Sequence, residues 1–532
     1  MTKPGAGGGI RYNLLLGVVI ALLFLLNFYS ETLFYRPSSV HQWRQADCLS
    51  ITKNYYEEGL HFFEPRVHTQ MVPDGKAVSE FPILNYTVAC LWKLVGEHEF
   101  IYRLLEYFIY LLAIFTLFNT LLLFFKKPLL VFFMVSVLLT SPLLTYYSFN
   151  FLSDVPALSF CILSFCYLFR FYKTKAVWYF YFALILATLA VLLKASALMA
   201  FICLLFLLIT DLLKLNRLFK VETLFKNKSL PLVCTVICIF LIASWYRFAM
   251  DYNAFNNGLF LLTILPIWDM PDNAIYDTAR ALINDLLPVF LNRPMLAFFS
   301  LAVLFVLVNI RKLDVFLRCS FLFSGVFSIL YTLFFFKVFI AHDYYLVNLF
   351  IFPVILFFCL ADLCSKLEWV PSKFVKSISF LLFILNSFYA AAFYRLRMIG
   401  NDKLCVWYPF ISNEEKRGTA YINWCYSNNI QGLEDIRPDL RHAGIKREDV
   451  VVCTVDDSPN ISLYFMDQKG YTVSEGLLAE DSLILKRLLS EQAHYLVLTR
   501  QDIKNKKAFQ IVEPQLQSIF KKSHVEVFKV KN

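Results

Sequence analysis

The sequence predicts a polytopic α-helical membrane protein carrying a small α/β domain at its C-terminal end. Three observations carry that expectation. Hydrophobic residues make up 58% of the 532 positions and charged residues only 17%, well under the roughly 25% of soluble domains. Apolar runs long enough to cross a bilayer, about 18 residues or more, recur as far as residue 394. Past Leu396 the composition changes to that of a soluble domain.

These numbers exclude a soluble protein with a large core: mean hydropathy is +0.58, and 56 Phe with 29 Tyr suit lipid contact and interfacial belts. A net charge of +10 reports topology in such a chain, because Lys and Arg collect in cytoplasmic loops; it does not point to nucleic acid. Most of the 13 cysteines lie inside apolar runs, where thiols act as small hydrophobes, and no Cys or His spacing signals zinc. Cys405 and Cys425 are open to two readings, a disulfide where their region faces an oxidising compartment or a pair of free thiols.

In order, a short Gly-rich basic start leads through Arg11 into an apolar run over 12–29. No small-residue cleavage site follows it, so it reads as a retained first membrane helix with its N-terminus inside. A polar loop follows from Glu31 to Phe81, carrying His41-Gln42-Trp43-Arg44-Gln45-Ala46-Asp47 and closing on Ser79-Glu80-Phe81-Pro82. Within 31–98, the segments Ala46 to Tyr56 and Pro82 to Leu94 are expected as short helices framing an outer cavity. The second has an apolar stripe suited to the membrane interface. Further runs at 100–125, 129–149, 152–171, 176–193, 195–213, 230–248, 294–310, 318–341, 344–363 and 374–394 bring the expected spans to about eleven.

With that count, Lys126-Lys127, Arg170 to Lys175, Lys214 to Lys228, Arg311 to Arg318 and Lys366 to Lys376 all fall on the cytoplasmic side. The first loop, the Asn150 to Asp154 link, Lys194, a long loop over Ala249 to Arg293 and His342-Asp343 fall opposite, with the segment after Leu396. This division makes residues 1–395 a membrane domain and 396–532 an extracytoplasmic one. In the latter, strands are expected over Asp449 to Val455, Tyr471 to Val473, His494 to Leu498 and Val525 to Val530. Helices lie between them, and no Gly-rich phosphate loop is present.

Ionisable groups at the mouth of an apolar bundle are the candidate site. Asp47 follows Arg44 by three residues, so on a helix both project to one side; a carboxylate beside a guanidinium stays ionised and accepts a proton or holds a metal, or else merely fixes the loop. Glu80 reads first as a helix-start residue interacting with the dipole. Asp154 is either a cap or a functional carboxylate at membrane depth. Arg103 either pairs with Glu106 at helical spacing or, with Lys194, neutralises a lipid phosphate; Lys194 otherwise snorkels to the interface. His342, Asp343 and Tyr345 open a span, in an interfacial belt or against a sugar or phosphate.

Together these residues resemble the GT-C superfamily of polytopic glycosyltransferases, in its bacterial branch related to protein O-mannosyltransferases and the lipid A aminoarabinose transferase. The ordered motifs are His41 to Asp47, Asn54 to Gly59, Pro65-Arg66-Val67, Glu80-Phe81-Pro82, Arg103, Ser153 to Pro156, Lys194 and His342 to Tyr345, within residues 10–394. Two positions depart from the pattern. Cys48 follows Asp47 where many relatives have Glu, and Phe81 stands where aminoarabinose transferases have Lys.

The resemblance implies a catalytic Asp47 acting as base, and a polyprenyl-phosphate-linked sugar donor. It implies a lipid, glycan or protein acceptor at the outer face of the inner (plasma) membrane. Arg44, Glu80, Arg103, Asp154, Lys194, His342, Asp343 and Tyr345 would bind substrate. It leaves room for a divalent metal without a ligand set that signals one. A flippase for the same lipid-linked sugar, or a non-catalytic subunit of the same fold, are the alternatives; the sequence shows no internal repeat of the kind transporters carry.

Overall fold

The computed structural model describes residues 6–125, 127–215, 223–260, 263–368, 372–400 and 410–531. Cys405 of the Cys405–Cys425 expectation, Lys126, and residues 216–222 and 369–371 of the basic loops lie outside the described residues. Each of the eleven apolar runs lies on helix, as a lipid environment requires: only a helix satisfies its backbone polar groups within one segment. The chain is a multi-pass membrane protein.

Among the described residues, six helices are long and apolar enough to cross a bilayer: Phe100–Leu123, Asp154–Thr174, Ser229–Phe255, Val315–Phe334, Asp343–Lys366 and Lys373–Ile399. The pair Asp272–Phe290 and Arg293–Val308, bent by 90°, makes a seventh if it is one span. Pro128–Leu139, Val177–Leu193 and Met199–Leu212 are apolar but shorter, and the first apolar run lies on the 21-residue helix Ala6–Leu26. Fewer full-length helices than the expected eleven result from breaks that hydropathy does not register. The run over 129–149 breaks at Pro142, where the Ser141 hydroxyl accepts from the Leu144 amide at 3.3 Å and caps a new short helix, Pro142–Tyr147.

The outer loop is more ordered than its polarity suggests. Gln42 to Asp47 is helix rather than loop, because the helix expected from Ala46 begins at Gln42 and runs to Glu58. Although its sequence is polar, residues 45–55 are all buried. The second helix, Ile83–Val95, buries Leu84, Asn85, Val88, Ala89 and Trp92 against it. Asn85 Nδ2 donates to the Cys48 carbonyl at 2.7 Å and fixes that crossing. The expected loop over Ala249 to Arg293 is largely helical: the preceding helix continues to Phe255, and Asp272–Ala281 and Leu287–Phe290 follow.

The C-terminal region forms one five-stranded sheet: β1 Val451–Thr454, β2 Gly470–Val473, β3 Tyr495–Leu498, β4 Leu516–Lys522 and β5 Val525–Val530, in the order β2-β1-β3-β5-β4. β1 runs parallel to β2 and β3, while β5 is antiparallel to β3 and β4. β4 is a strand the sequence did not suggest, because Leu516-Gln517-Ser518-Ile519-Phe520-Lys521-Lys522 is an edge strand with much of its length exposed. The composition change at Leu396 falls inside the helix Lys373–Ile399.

The sheet docks on the outer loop by backbone pairing. Gln70 N donates to the Gly470 carbonyl at 2.7 Å, and Gly470 N to the His68 carbonyl at 3.3 Å. Charged side chains flank this contact: the buried Asp467 meets Arg447 at 3.0 Å and Arg437 at 3.2 Å, while Arg447 also reaches Glu58 at 2.7 Å.

Candidate active site

Four charged side chains from four separate elements converge beside the first outer loop. Arg44 lies in the first turn of Gln42–Glu58 and Glu80 just before Pro82; Asp154 opens the helix Asp154–Thr174, and Lys194 closes Val177–Leu193. A carboxylate at a helix N-terminus and an ammonium at a C-terminus are each favoured by the backbone dipole, so both ends direct their charges to one place. Glu80 is 2.5 Å from Arg44 and 2.8 Å from Lys194, and Lys194 is 3.4 Å from Asp154. The Ser79 hydroxyl donates to the other Glu80 oxygen.

These groups form the polar wall of a cavity of about 360 Å3. Tyr246, Tyr331, Tyr344 and Tyr345 supply much of the rest of its lining, with Phe260. Two cations and two carboxylates balance one another there. Burial alone would raise the Glu80 carboxyl, but Arg44 and Lys194 override it and hold Glu80 well below the ordinary carboxylate range.

Asp47 differs. It is fully buried and stands behind Arg44, with Oδ2 3.8 Å from the guanidinium, and it does not line the cavity. Asn460 Nδ2 donates to Oδ1 at 3.4 Å, while Oδ2 has no hydrogen-bond partner among the described residues. Burial pushes the Asp47 carboxyl up to about 7; Arg44 pulls against that shift and the Glu80 charge adds to it. Of the two carboxyls that flank Arg44, Glu80 is held as an anion and Asp47 is poised to exchange a proton near neutrality.

The other expected site residues divide. Tyr345 is in the cavity wall. Arg103 is turned elsewhere: it donates to the carbonyls of Leu33 (3.1 Å) and Tyr35 and lies 4.1 Å over the Phe151 ring, bracing the start of the outer loop. Its expected pairing with Glu106 does not form, since neither Glu106 oxygen has a hydrogen-bond partner among the described residues. Asp343 also stays out of the cavity. It accepts from the Tyr147 hydroxyl and pairs with His41 at 3.0 Å and Arg397 at 2.8 Å. His342 packs at a tilt against the rings of His41 and Tyr344, 5.4 Å from each. Asn460 and the tyrosines Tyr246 and Tyr331 were not legible as site residues, since nothing in their local sequence separates them from packing residues.

Among the described residues no three His, Cys, Asp or Glu side chains converge as a metal site requires. Glu80 and Asp154 are engaged by Arg44 and Lys194 instead.

No protein-family model matches the chain, and no curated protein is similar to it in sequence. Its fold matches those of two solved proteins. The solved structure of ArnT from Cupriavidus metallidurans aligns over 99% of this chain and 98% of its own at 12% identity, with a TM-score of 0.53 in the apo state. With undecaprenyl phosphate bound to ArnT, the TM-score is 0.56 at the same identity and coverage. The arabinofuranosyltransferase AftD from Mycobacteria aligns over 97% of this chain and 40% of its own, at 13% identity and a TM-score of 0.54.

Proposed function

We propose that this protein is a membrane glycosyltransferase that moves a sugar from a polyprenyl-phosphate carrier onto an acceptor hydroxyl. The observation that carries the reading is one cavity in which Arg44 and Lys194 face an aromatic wall, with a buried carboxylate poised near neutrality directly behind Arg44. Tyrosine rings suit the faces of a sugar, and the two cations suit a phosphodiester. Undecaprenyl phosphate bound to ArnT, a protein of the same fold, supports that donor class.

The chemistry follows from where charge develops. Asp47 removes the proton of the acceptor hydroxyl as its oxygen attacks the anomeric carbon. The bond from that carbon to the phosphate oxygen breaks, and the polyprenyl phosphate leaves with one more negative charge than it carried as a diester. Arg44 and Lys194 stabilise that added charge, and Arg44 uncovers Asp47 as it turns from Glu80 and Asp47 toward the phosphate. Attack opposite the leaving group inverts the anomeric configuration. Asp154 and Glu80 orient the two cations, and Tyr345 contacts the sugar. Residues 1–395 form the catalytic membrane domain and residues 396–532 an outer domain. The basic loops support a cytoplasmic N-terminus and a cavity at the extracytoplasmic face of the inner membrane.

The test is transfer from a panel of undecaprenyl-phosphate-linked hexoses and pentoses into envelope lipids, glycans and proteins, comparing the parent with Asp47→Asn at equal membrane expression. Transfer by the parent and its loss in the variant are expected. Equal transfer by both removes Asp47 as the base. Movement of intact donor across liposomes without any transfer makes the protein a flippase.

A further inference from the structure

The environment of Asp47 is not completed by the membrane domain. Asn460, from the turn that follows β1 in the C-terminal sheet, is fully buried, and its amide lies between the outer loop and the helix that bears Asp47. Asn460 Oδ1 accepts from the His68 backbone amide at 3.1 Å and from the Ser50 hydroxyl at 3.4 Å. Those two donors fix which end of the amide is which: the NH2 must face the other way. There it meets Asp47 Oδ1 at 3.4 Å and the Ala46 carbonyl at 3.5 Å. A flipped amide would set its oxygen against the carboxylate and leave the His68 N–H facing a donor.

The turn that carries Asn460 is itself held from inside. Asp456 Oδ1 accepts from the amide and the hydroxyl of Ser458, at 2.8 and 2.7 Å, and Oδ2 accepts from the Ser462 amide at 2.7 Å. The Ser458 hydroxyl oxygen in turn accepts from the Asn460 amide at 3.2 Å. Across the interface, His68 Nδ1 lies 2.6 Å from the Ser50 hydroxyl and Nε2 3.3 Å from Asp467 Oδ1. The contact at Asp47 is thus one end of a continuous buried polar network that joins the two parts of the chain.

We infer that Asn460 is a positioning residue for Asp47: the C-terminal domain, by donating to Oδ1, fixes the carboxylate with its unpartnered Oδ2 toward Arg44, which itself lines the cavity, and the site is complete only with that domain docked. The inference rests on the reading of Asp47 as the base. It makes the outer domain part of the catalytic machinery.

The groups that face Asp47 are Arg44 on its own helix, Glu80 from the outer loop, and Asp456 with Asn460 from the C-terminal domain. Arg44 and the Asn460 amide favour the ionised form, while Glu80 and Asp456 oppose it. Removing the Asn460 donor therefore raises the pH at which Asp47 gives up its proton. Because the ionised form is the base, the acid limb of activity moves upward with it.

The test uses the full-length protein in nanodiscs. Infrared pH-difference spectra, each taken against the same variant carrying Asp47→Asn, isolate the Asp47 carboxyl band without any ligand. Asn460→Ala is expected to move its midpoint to higher pH by about one pH unit, the size of one lost hydrogen bond to a charged group. Asn460→Asp keeps an acceptor for His68 and Ser50 but replaces the donor with a carboxyl, and is expected to move the midpoint at least as far. Arg447→Ala, which loosens the same interface away from Asp47, should leave the midpoint in place. The acid limb of the transfer rate should follow the midpoint in each variant.

Parental midpoints in both Asn460 variants would overturn the inference, as would an equal shift in Arg447→Ala, which would mark a general loosening. Shifted midpoints together with undiminished transfer by Asp47→Asn would instead overturn the base assignment while leaving the contact intact.

Discussion

Asp47 is held in the fold against its own preference for water. Its folded carboxyl, at about 7 against an ordinary value of 3.8, binds a proton more tightly than in the unfolded chain. The sign of the linkage follows: stability is full below the unfolded value and declines as pH rises through the folded one. Asp47→Asn should therefore stabilise the fold at pH 8 by on the order of a few kcal/mol, read as a higher Tm in detergent, while transfer falls by about 10²–10⁴-fold. A Tm lowered by that substitution would contradict the burial argument. Lys194 is expected to behave in the opposite way. It neutralises both Glu80 and Asp154, so Lys194→Met leaves two carboxylates without their shared cation. A loss of about 3–5 kcal/mol is expected, read as a Tm drop that Glu80→Gln in the same chain partly restores.

At the scale of elements, one side-chain amide anchors the segment that carries Glu80. Asn253, near the end of the helix Ser229–Phe255, accepts from the Val78 amide at 3.0 Å and donates to the Val78 carbonyl at 2.8 Å. It treats the extended segment before Glu80 as a strand partner and sets where Ser79 and Glu80 lie. Asn253→Ala should destabilise the protein by about 1–3 kcal/mol and raise KM for the donor more than it lowers kcat, since it displaces Glu80 and the cations it orients. The helices themselves were largely legible, because each apolar run is long, continuous and rich in Leu, Phe and Ala. Breaks such as the one at Pro142 were not, because they lie inside runs that remain apolar throughout. The helix Gln42–Glu58 was only half legible: its polar residues read as loop because their burial depends on Asn85, Asn460 and the charges of the C-terminal sheet, far away in sequence.

For the whole molecule, the decisive contact is between the outer loop and the C-terminal sheet. The buried cations Lys53 and Arg447 stand near Asp467. Burial would raise the Asp467 carboxyl, yet His68, Lys53 and Arg447 hold it well below the ordinary range. The stability it contributes is present above the unfolded carboxylate value and lost only as pH falls through the depressed folded one. Docking should thus persist at pH 5.5, where Asp47 is already protonated. A crosslink between Thr69→Cys and Tyr471→Cys, formed equally at pH 5.5 and 7.5 while activity falls, would separate the two effects. Topology has its own check: an impermeant thiol reagent should label Lys486→Cys in intact spheroplasts, and Lys312→Cys only after permeabilisation, each against the parent background.

The sequence by itself determined the class of molecule, the helical runs, the basic loops and the alternation of strand and helix in the C-terminal region. Each of these rests on composition or on a period of a few residues. It also suggested the Arg44–Asp47 pairing on helical spacing, which forms because the helix begins at Gln42 rather than at the expected Ala46. Only the tertiary structure decided that Glu80 lies between Arg44 and Lys194, that Arg103 and Asp343 serve as braces rather than cavity groups, and that Asn460 reaches Asp47 across 413 positions of chain. The reason is physical. Whether a charged side chain is a brace or part of a site depends on which partners the fold brings within about 4 Å, and on how much water it leaves there, and neither is written in the neighbouring residues.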